Sequence, residues 1–381
     1  MRLRAYLDNN ATTRLAPEAL AAMTPYLTDL YLNPSSAAGE LFGAHRPLGD
    51  GRRQLARLLG APDLADNVVL TSGASEANSW AVHIATAEGG RGHIVASAIE
   101  HPSLIAALEA RREAGWAVEL VSPDETGRLS AAQVAQLLRP ETQLVSVMLA
   151  NNETGVLQPV AEIGRLVRAR SPEALLHVDA TQALGRIEVD FDGLLGGADL
   201  VSLSGHKLHG PKGIGALVAN HDVPLPPLIH GSQESGRRGG TPDAAAAAGI
   251  AVAARLAADR LAGMTRVAAL RDLFEQDLLA RLPHARVLGD TVQRLPNTSA
   301  FVVPGLDAQA AVEALALDGI VIATGAACAS GSPAPSHVLL AMGLDHEAAK
   351  STLRVSLSHE TNEDELSMAL EGIARRVRVE A

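Results

Sequence analysis

The chain has 381 residues, more than one ordinary domain holds, so two domains are expected. Hydrophobic residues make up 47% and charged residues 20%, which excludes a disordered chain, and no apolar run is long enough to cross a membrane. The net charge of -11 disfavours nucleic acid and anionic lipid as partners, and the single cysteine, Cys328, excludes a disulfide framework. No apolar leader follows the first residues, so we expect a cytoplasmic protein.

Short apolar runs alternate with amphipathic stretches from Val68 to Ala219. The runs that we expect to form strands are NVVLTSG, GHIVASA, AVELVSP, QLVSVML, ALLHVDA and ADLVSLS. Helical stretches such as SEANSWAVHIATA and SLIAALEARREAG lie between them. This alternation predicts a mostly parallel sheet covered on both faces, with ligands bound at the carboxyl ends of its strands.

The last third of the chain has a different pattern. A long Ala-rich helical region begins near Thr241, which is a candidate N-cap. Further strands and helices follow, and the last helix is expected to be capped near Thr361. We therefore predict a large domain over residues 15–261 and a smaller α+β domain built from residues 1–14 and 262–381.

The stretch TSGASEANS follows the first predicted strand, and Ala74 and Ser75 open a helix there. Exposed N–H groups and the positive end of the helix dipole make such a junction an anion site. An ordinary capped turn is the alternative. In HVDATQALG, Asp179 ends an apolar strand and Gln182 follows one short turn later. An acid in that place either holds a cation or a protonated nitrogen, or it caps a helix.

Lys207 lies in SGHKLHGPKGIG and is one of three lysines in a chain with 29 arginines. A lysine amine can lose its proton and attack a carbonyl to form a Schiff base, which a guanidinium cannot do. Ser204 and His206 flank it and could bind a phosphate or tune the amine, although Lys207 could also be a surface residue. A phosphate site, a strand-end acid and a lysine on one sheet together describe a pocket for pyridoxal phosphate.

Four further positions could complete such a pocket. His101 follows a strand end and could stack on the cofactor ring or carry protons, although a lone histidine is more often structural. In NNETG, an amide of Asn151 or Asn152 could donate to the cofactor's phenolic oxygen or to a substrate carboxylate, or simply form a turn. Arg354 in LRVSLS could clamp a carboxylate if it faces inward. Cys328 lies in a loop of small residues, as suits a nucleophile that must travel, although it could be incidental.

These stretches together resemble a known family. LDNNATT, TSGASE, EHPS, NNETG, HVDATQ, SGHKLHGPKG, GGTPD, ACAS and LRVSLS occur in the order typical of cysteine desulfurases, between Leu7 and about Leu357. Those enzymes are fold-type I pyridoxal phosphate proteins of the class V aminotransferase group. The resemblance implies an α/β fold with a mostly parallel, seven-stranded sheet in the large domain. The segment around Cys328 is similar to the longer-loop branch, which serves iron–sulfur cluster assembly.

The resemblance also implies roles for individual residues. Lys207 would carry the cofactor aldehyde and shuttle protons, His101 would stack on the ring, Asp179 would bind the pyridine nitrogen and Gln182 the phenolic oxygen. The phosphate would be held by Ala74, Ser75, Ser204 and His206, and by Thr241 of the other subunit, which implies a homodimer. Asn152 and Arg354 would bind the cysteine carboxylate, with Asn152 also near the cofactor. No metal site is implied.

The expected reaction converts L-cysteine to L-alanine and leaves the sulfur on Cys328 as a persulfide. A sulfur-acceptor protein, such as an iron–sulfur scaffold, would then take it. One alternative is a selenocysteine lyase or another class V enzyme, and a non-enzymatic alternative is a persulfide carrier or scaffold. The sequence departs from the family at Ala38, Gly39 and Glu40, where a histidine is usual, and at Ser235, where an arginine is common.

Overall fold

The computed structural model describes residues 2–87, 89–325 and 335–377. Its helices are α1 (Pro17–Thr28), α2 (Ala37–Leu41), α3 (Arg46–Leu58), α4 (Ala74–Ala85), α5 (Pro102–Glu113), α6 (Ala131–Leu137), α7 (Val160–Arg170), α8 (Ala244–Asp259), α9 (Met264–Arg281), α10 (Ala308–Leu317), α11 (His337–Ala341), α12 (His346–Lys350) and α13 (Glu363–Ala374). Its strands are β1 (Ala5–Tyr6), β2 (Val68–Thr71), β3 (His93–Ser97), β4 (Ala117–Val121), β5 (Thr142–Met148), β6 (Leu175–Asp179), β7 (Leu200–Ser204), β8 (Gly215–Ala219), β9 (Arg286–Leu288), β10 (Thr298–Val302), β11 (Ile320–Val321), β12 (Ala323–Thr324) and β13 (Thr352–Ser356).

The central sheet has seven strands in the order β2-β8-β7-β6-β5-β3-β4. Strand β8 is antiparallel to both of its neighbours, and every other pair in the sheet is parallel. The six apolar runs of the sequence correspond to β2 through β7, so the mostly parallel α/β sheet of seven strands is confirmed. Because β2 and β7 are each antiparallel to β8, both run in the same direction, and their carboxyl ends lie on the same edge of the sheet.

Helices cover both faces of this sheet, because alternate strand residues point to opposite sides. Val145 and Val178 belong to a large buried cluster that also contains Leu55 of α3 and Ile250 of α8. Ile94, in contrast, packs on the other face with Leu104 of α5. The alanine run at the start of α8 is buried, and these small side chains let α1 and α3 pack closely against that helix.

A second sheet is antiparallel and has the strand order β12-β13-β10-β9. Next to it, β1 from the N-terminus pairs in parallel with β11. Their apolar side chains form a separate buried cluster, which includes Leu7, Phe274 of α9, Phe301, Leu353 and Ile373 of α13. The N-terminal strand therefore packs with elements from the last third of the chain, while the domain limits at residues 14 and 261 stay predictions.

The helix start predicted at Thr241 is wrong by two residues, whereas the cap predicted near Thr361 is confirmed to within one residue. The Ala-rich helix α8 is capped by Asp243, whose Oδ1 accepts the N–H of Ala246 at 2.8 Å, and not by Thr241. The last helix is capped by Asn362, not by the neighbouring threonine, and Glu365 completes a capping box. Asp and Asn are stronger N-caps than Thr, so a stronger cap nearby decides each start.

The Ala-rich region is also two helices rather than one. A 3-10 turn at Leu261–Gly263 separates α8 from α9, and α9 belongs to the second apolar cluster. Within the described part of the chain, none of the helices combines the length and the apolar character needed to span a membrane.

Candidate active site

The candidate residues gather at the carboxyl edge of the central sheet. His101 follows β3, Asn152 follows β5, Asp179 ends β6, Ser204 ends β7, and Lys207 lies in the 3-10 turn just after β7. These four strands are parallel, so their carboxyl ends meet at one edge. The sheet therefore brings together side chains that are far apart in the sequence, at the place where such folds bind ligands.

The amine of Lys207 is held by the backbone of the N-terminal segment. Its Nζ donates to the carbonyl oxygens of Asn10 at 2.5 Å and Ala11 at 2.7 Å. The segment is itself fixed to the lysine turn, because the N–H of Thr13 donates to the carbonyl of His206 at 3.0 Å. Lys207 is thus half-buried and anchored, which is not the setting of an ordinary surface lysine.

Asn10 links several of the candidate residues. Besides Lys207, its carbonyl oxygen accepts Nε2 of Gln182 at 3.0 Å. Its own Nδ2 donates to the carbonyl of Asn152 at 3.0 Å and to Oγ1 of Thr298 at 2.9 Å. In the sequence, LDNNATT was only one motif of the family pattern. Nothing in that stretch indicated that its backbone carbonyls would accept hydrogen bonds from the amine of Lys207.

Asp179 is buried and its two carboxylate oxygens have different partners. Oδ1 accepts the N–H of Thr181 at 2.9 Å, as in a capping turn, whereas Oδ2 accepts Nδ2 of Asn78 at 2.9 Å. Three buried oxygens nearby, Oδ1 of Asn78, Oγ1 of Thr181 and Oε1 of Gln182, have no hydrogen-bond partner among the described residues. Unpaired buried polar atoms are rare in folded proteins, and their concentration here indicates a place for a polar ligand.

His101 caps α5 and is joined to Asp179 through side chains. The N–H of Ser103 donates to Nδ1 of His101 at 3.1 Å, and Nδ2 of Asn78 donates to Oγ of Ser103 at 3.2 Å. Burial lowers the pKa of His101, Asp179 counteracts this, and the positive charge of Lys207 lowers it further. The ring is therefore neutral at pH 7, and with Nδ1 as an acceptor its proton is on Nε2.

The start of α4 has the geometry of an anion site. Its N-cap, Gly73, has φ of 152°, a conformation that side chains disfavour, and Ala74 and Ser75 form the first turn. A Cβ placed on Gly73 would lie 3.7 Å from Oγ of Ser204, so that hydroxyl faces the helix start. The carboxylate of Glu76 binds the guanidinium of Arg238 at 2.9 and 3.0 Å, and its Oε2 also accepts the N–H of Ser72 at 2.7 Å.

His206 and Thr241 lie at different depths around this site. Nδ1 of His206 is 3.1 Å from Oγ1 of Thr12. Burial, followed by the charge of Lys207, lowers the pKa of His206 to about 4, so the ring is neutral. Thr241 is exposed and lines, with Thr71 and Ser72 of the same chain, a cavity of about 100 Å³.

Arg354 faces inward and is only 1% exposed. Its Nη2 binds Oδ1 of Asp8 at 2.5 Å and its Nη1 donates to the carbonyl of Asn152 at 3.0 Å. Its Nε is buried without a hydrogen-bond partner in the described ranges. The anion that an inward arginine requires is therefore Asp8, a residue that the sequence did not single out, and a substrate carboxylate would have to share or displace it.

Asn151 has a structural role, as the turn alternative for NNETG implied. Its Oδ1 accepts the N–H groups of Glu153 at 2.9 Å and Thr154 at 3.0 Å. Its Nδ2 donates to the carbonyl of Ile99 at 3.1 Å. Asn151 thus shapes the turn that presents Asn152.

Cys328 lies outside the described residues.

Two buried glutamates next to the site had no signal in the sequence. Glu100 precedes His101, and its Oε1 accepts the N–H of Met148 at 2.7 Å. Burial raises its pKa well above the usual range. Glu153 follows Asn152, and burial raises its pKa to about 7, against the lowering effects of Ser336 and Arg354. Among the residues in the described ranges, no group of three or more His, Cys, Asp or Glu side chains could hold a metal ion.

Glu153 gives a pH dependence of stability that a substitution can isolate. In the unfolded chain this carboxyl loses its proton near its ordinary pKa of 4.5, and in the folded chain only near 7. Folded protein is therefore destabilised as the pH rises between these values, by about 3 kcal/mol from this residue. The glutamine in Glu153→Gln does not titrate, so this variant escapes the loss. Its free energy of unfolding minus that of wild type, measured with urea, should increase by about 3 kcal/mol between pH 4.5 and 7. A constant difference across this range would contradict the assignment.

The fold and this site define a class of protein. The sequence profile of the family described as Aminotransferase class-V matches residues 5–368, so the chain belongs to the class-V aminotransferases. A cysteine desulfurase of Cereibacter sphaeroides is 44% identical over 97% of this chain and 94% of its own length. Within its class, the chain belongs to the cysteine desulfurase family.

Solved structures agree with this assignment. A structure described as a NifS-like protein superimposes with a TM-score of 0.90 at 32% identity, and covers 98% of this chain and 99% of its own. Another, described as SspA in complex with cysteine, has a TM-score of 0.78 at 31% identity, and covers 93% of this chain and 99% of its own. The α/β fold and the family expected from the sequence are confirmed.

Proposed function

We propose that this protein is a cysteine desulfurase that moves the sulfur of L-cysteine to Cys328. The C–S bond of the substrate breaks and an S–S bond to Cys328 forms, so that L-cysteine and the thiol give L-alanine and an enzyme persulfide. The observation that carries this proposal is the meeting of Lys207, Asp179 and His101 at one sheet edge. A chain that served only as a persulfide carrier would have no use for this set.

The residues at the site fit pyridoxal 5'-phosphate. The unpaired buried oxygens around Asp179 need a polar partner, and the start of α4 with Ser204 suits a phosphate. Asp179 would hold the ring nitrogen, Gln182 the phenolic oxygen and Lys207 the aldehyde. The phosphate would be held by Ala74, Ser75, Ser204 and His206, and by Thr241 of the partner subunit. When bound, the cofactor supplies an electron sink that stabilises negative charge at the substrate Cα.

Lys207 and His101 are placed to move protons. Two backbone carbonyls hold the ammonium form of Lys207 in position, and the amine that remains after proton loss can take a proton from the substrate Cα. His101 is neutral and keeps Nδ1 occupied with Ser103, so Nε2 is the atom left for substrate or cofactor. In this tautomer the Nε2–H of His101 can donate a hydrogen bond to a thiolate or to another negatively charged atom at the site.

Asn152 and Arg354 are proposed to bind the carboxylate of L-cysteine. The unpaired Nε of Arg354 leaves one donor of the guanidinium for that group, while Asp8 binds Nη2 and the carbonyl of Asn152 binds Nη1. The similar structure described as SspA in complex with cysteine supports L-cysteine as the substrate class. Cys328 would then take up the sulfur for delivery to an acceptor protein, for example an iron–sulfur scaffold in the cytoplasm.

A homodimer is part of the proposal. Large apolar side chains are exposed around α1 and α2, including Tyr31 at 75%, Leu41 at 80% and Phe42 at 63%. Neighbouring exposed apolar residues of this size favour burial against another surface. Thr241 is exposed in the single chain, as a residue must be if it serves the site of a second subunit.

The proposed function is tested with L-cysteine and a reductant, by measuring alanine and sulfide from wild type and Cys328→Ala. We expect equal amounts of both products from wild type and a loss of about 100-fold or more in the variant, because the sulfur has lost its nucleophilic acceptor. Products undiminished in Cys328→Ala would remove this residue from the mechanism and favour a selenocysteine lyase. No product from either protein would favour a carrier without enzymatic activity.

A further inference from the structure

Ser336 ties the chain just after residues 326–334 to the site. It is the N-cap of α11, and its Oγ accepts the N–H groups of Val338 at 3.1 Å and Leu339 at 3.2 Å. The single hydroxyl proton is donated to Oε2 of Glu153 at 2.5 Å. Both partners are 4% exposed. Glu153 is the neighbour of Asn152, so this buried contact joins the cap of α11 to the turn that presents Asn152.

The next residue, His337, makes a second tie to the site. Its Nε2 donates to the carbonyl oxygen of Glu100 at 2.9 Å, and Glu100 is the neighbour of His101. Ser336 and His337 are therefore each fixed to a turn that follows a strand of the central sheet.

The chain before residues 326–334 is fixed as well. Thr324 of β12 pairs with Leu353 of β13, and the N–H of Gly325 donates to the carbonyl of Thr352 at 3.0 Å. Leu353 precedes Arg354. Both ends of the segment that contains Cys328 are thus held next to residues of the candidate active site.

A carboxylate at Glu153 is more than a helix cap requires. The Ser336 hydroxyl already satisfies two N–H groups of α11, and its proton needs only one neutral acceptor. A buried carboxylate costs free energy that an amide or an apolar side chain would avoid. In the ionised form, which Glu153 reaches above its pKa of about 7, the bond from Ser336 is charge-assisted, and such bonds are shorter and stronger than neutral ones. The carboxylate therefore lowers the stability of the fold but holds the Ser336 hydroxyl more firmly in place than a neutral acceptor would.

We propose that Glu153 is a positioning residue for sulfur transfer, which acts by holding the Ser336 hydroxyl and so fixes the end of the Cys328 segment against the Asn152 turn. This proposal rests on the proposed function, in which Cys328 accepts the sulfur. Glu153 itself takes no part in the chemistry. Its loss should slow the step in which the thiol meets the substrate and leave substrate binding intact.

The test measures single-turnover alanine formation without reductant, as the rate at saturating L-cysteine and the concentration that gives half of that rate. Ser336→Ala and Glu153→Ala should each lower the saturating rate about tenfold or more, since small misplacements of reacting groups are costly. The half-saturating concentration should change less than twofold. The double variant should be no slower than the slower single one, because both changes break one contact.

Conservative variants separate positioning from general damage. Ser336→Thr keeps the hydroxyl and should retain most of the saturating rate. Glu153→Gln keeps only a neutral acceptor, so its saturating rate should lie between those of wild type and Glu153→Ala. The matched control is Asp345→Ala, which removes the cap of the adjacent helix α12, where Asp345 Oδ1 accepts the N–H of Ala348 at 2.8 Å. Asp345→Ala removes a helix cap of the same kind, but this cap does not contact the candidate active site. The variant should therefore react at the wild-type rate.

Specific results would overturn the positioning role. These are a wild-type saturating rate in Ser336→Ala, an equal loss in Asp345→Ala, or a loss in Ser336→Thr as large as in the alanine variant. A failed proposed function looks different, because Cys328→Ala would then form alanine at the wild-type rate. A loss in Cys328→Ala together with a wild-type rate in Ser336→Ala overturns the role of Glu153 alone.

Discussion

Lys207→Arg should abolish turnover of L-cysteine, with a fall in kcat of about 1,000-fold or more. The guanidinium keeps the positive charge and can still reach the carbonyls of Asn10 and Ala11, which receive the lysine amine at 2.5 and 2.7 Å. It cannot lose its proton, so it can neither attack a carbonyl nor take a proton from the substrate. The fold should survive while the chemistry stops. Alanine production and thermal unfolding, measured together, check both parts.

The matched control for this prediction is Lys212→Arg. Lys212 is exposed, lies in the same stretch of sequence and carries the same charge, which also contributes to the low pKa of His206. This variant should retain activity within about twofold, because it keeps the positive charge and alters only an exposed side chain. Turnover by Lys207→Arg at a rate near that of Lys212→Arg would show that the amine at 207 has no chemical role.

Strands β2 to β7, their mostly parallel arrangement and the sheet edge of the site could be predicted from the sequence. Each apolar run from β2 to β7 ends in a polar motif, and parallel strands place such ends together. Asp179 and Lys207 could be found in this way because each follows an apolar run directly. His101 and the start of α4 follow from the same argument.

The partners of these residues could not be predicted in that way. Asp8 binds Arg354, which lies 346 positions away in the sequence. The carbonyl of Asn10 accepts a hydrogen bond from Lys207, which lies 197 positions away. Such contacts depend on how the N-terminal segment packs beside the second sheet, and no local sequence pattern predicts that packing. The buried Glu153 is hidden for the same reason, because its partner Ser336 belongs to a separate helix.

Asp179→Asn should lower kcat about 100- to 1,000-fold, by analogy with the loss of other preorganised charges in active sites. Asparagine keeps the shape and can still accept the N–H of Thr181, which Asp179 binds at 2.9 Å. It loses the negative charge that would hold a protonated ring nitrogen. Its own amide would also face Nδ2 of Asn78, so that two donors meet.

The loss of this charge has a second consequence, in the pH profile. The charge of Asp179 raises the pKa of His101, against the larger lowering effect of burial. In Asp179→Asn, the limb of the activity profile that reports His101 should therefore move to lower pH. A merely structural defect would lower activity at every pH and leave the limb in place.

Asp199→Asn is the matched control, because Asp199 lies at the opposite end of the same pair of strands. Its Oδ2 accepts the N–H of Leu176 at 2.6 Å and binds Nη2 of Arg168 at 2.6 Å. The substitution removes a carboxylate that lies just before β7 and bonds to the start of β6, with a similar loss of hydrogen bonding but away from the carboxyl edge. It should lower the free energy of unfolding and leave kcat within about twofold of wild type. An equal loss of kcat in both variants would mean that Asp179 supports the sheet rather than the chemistry.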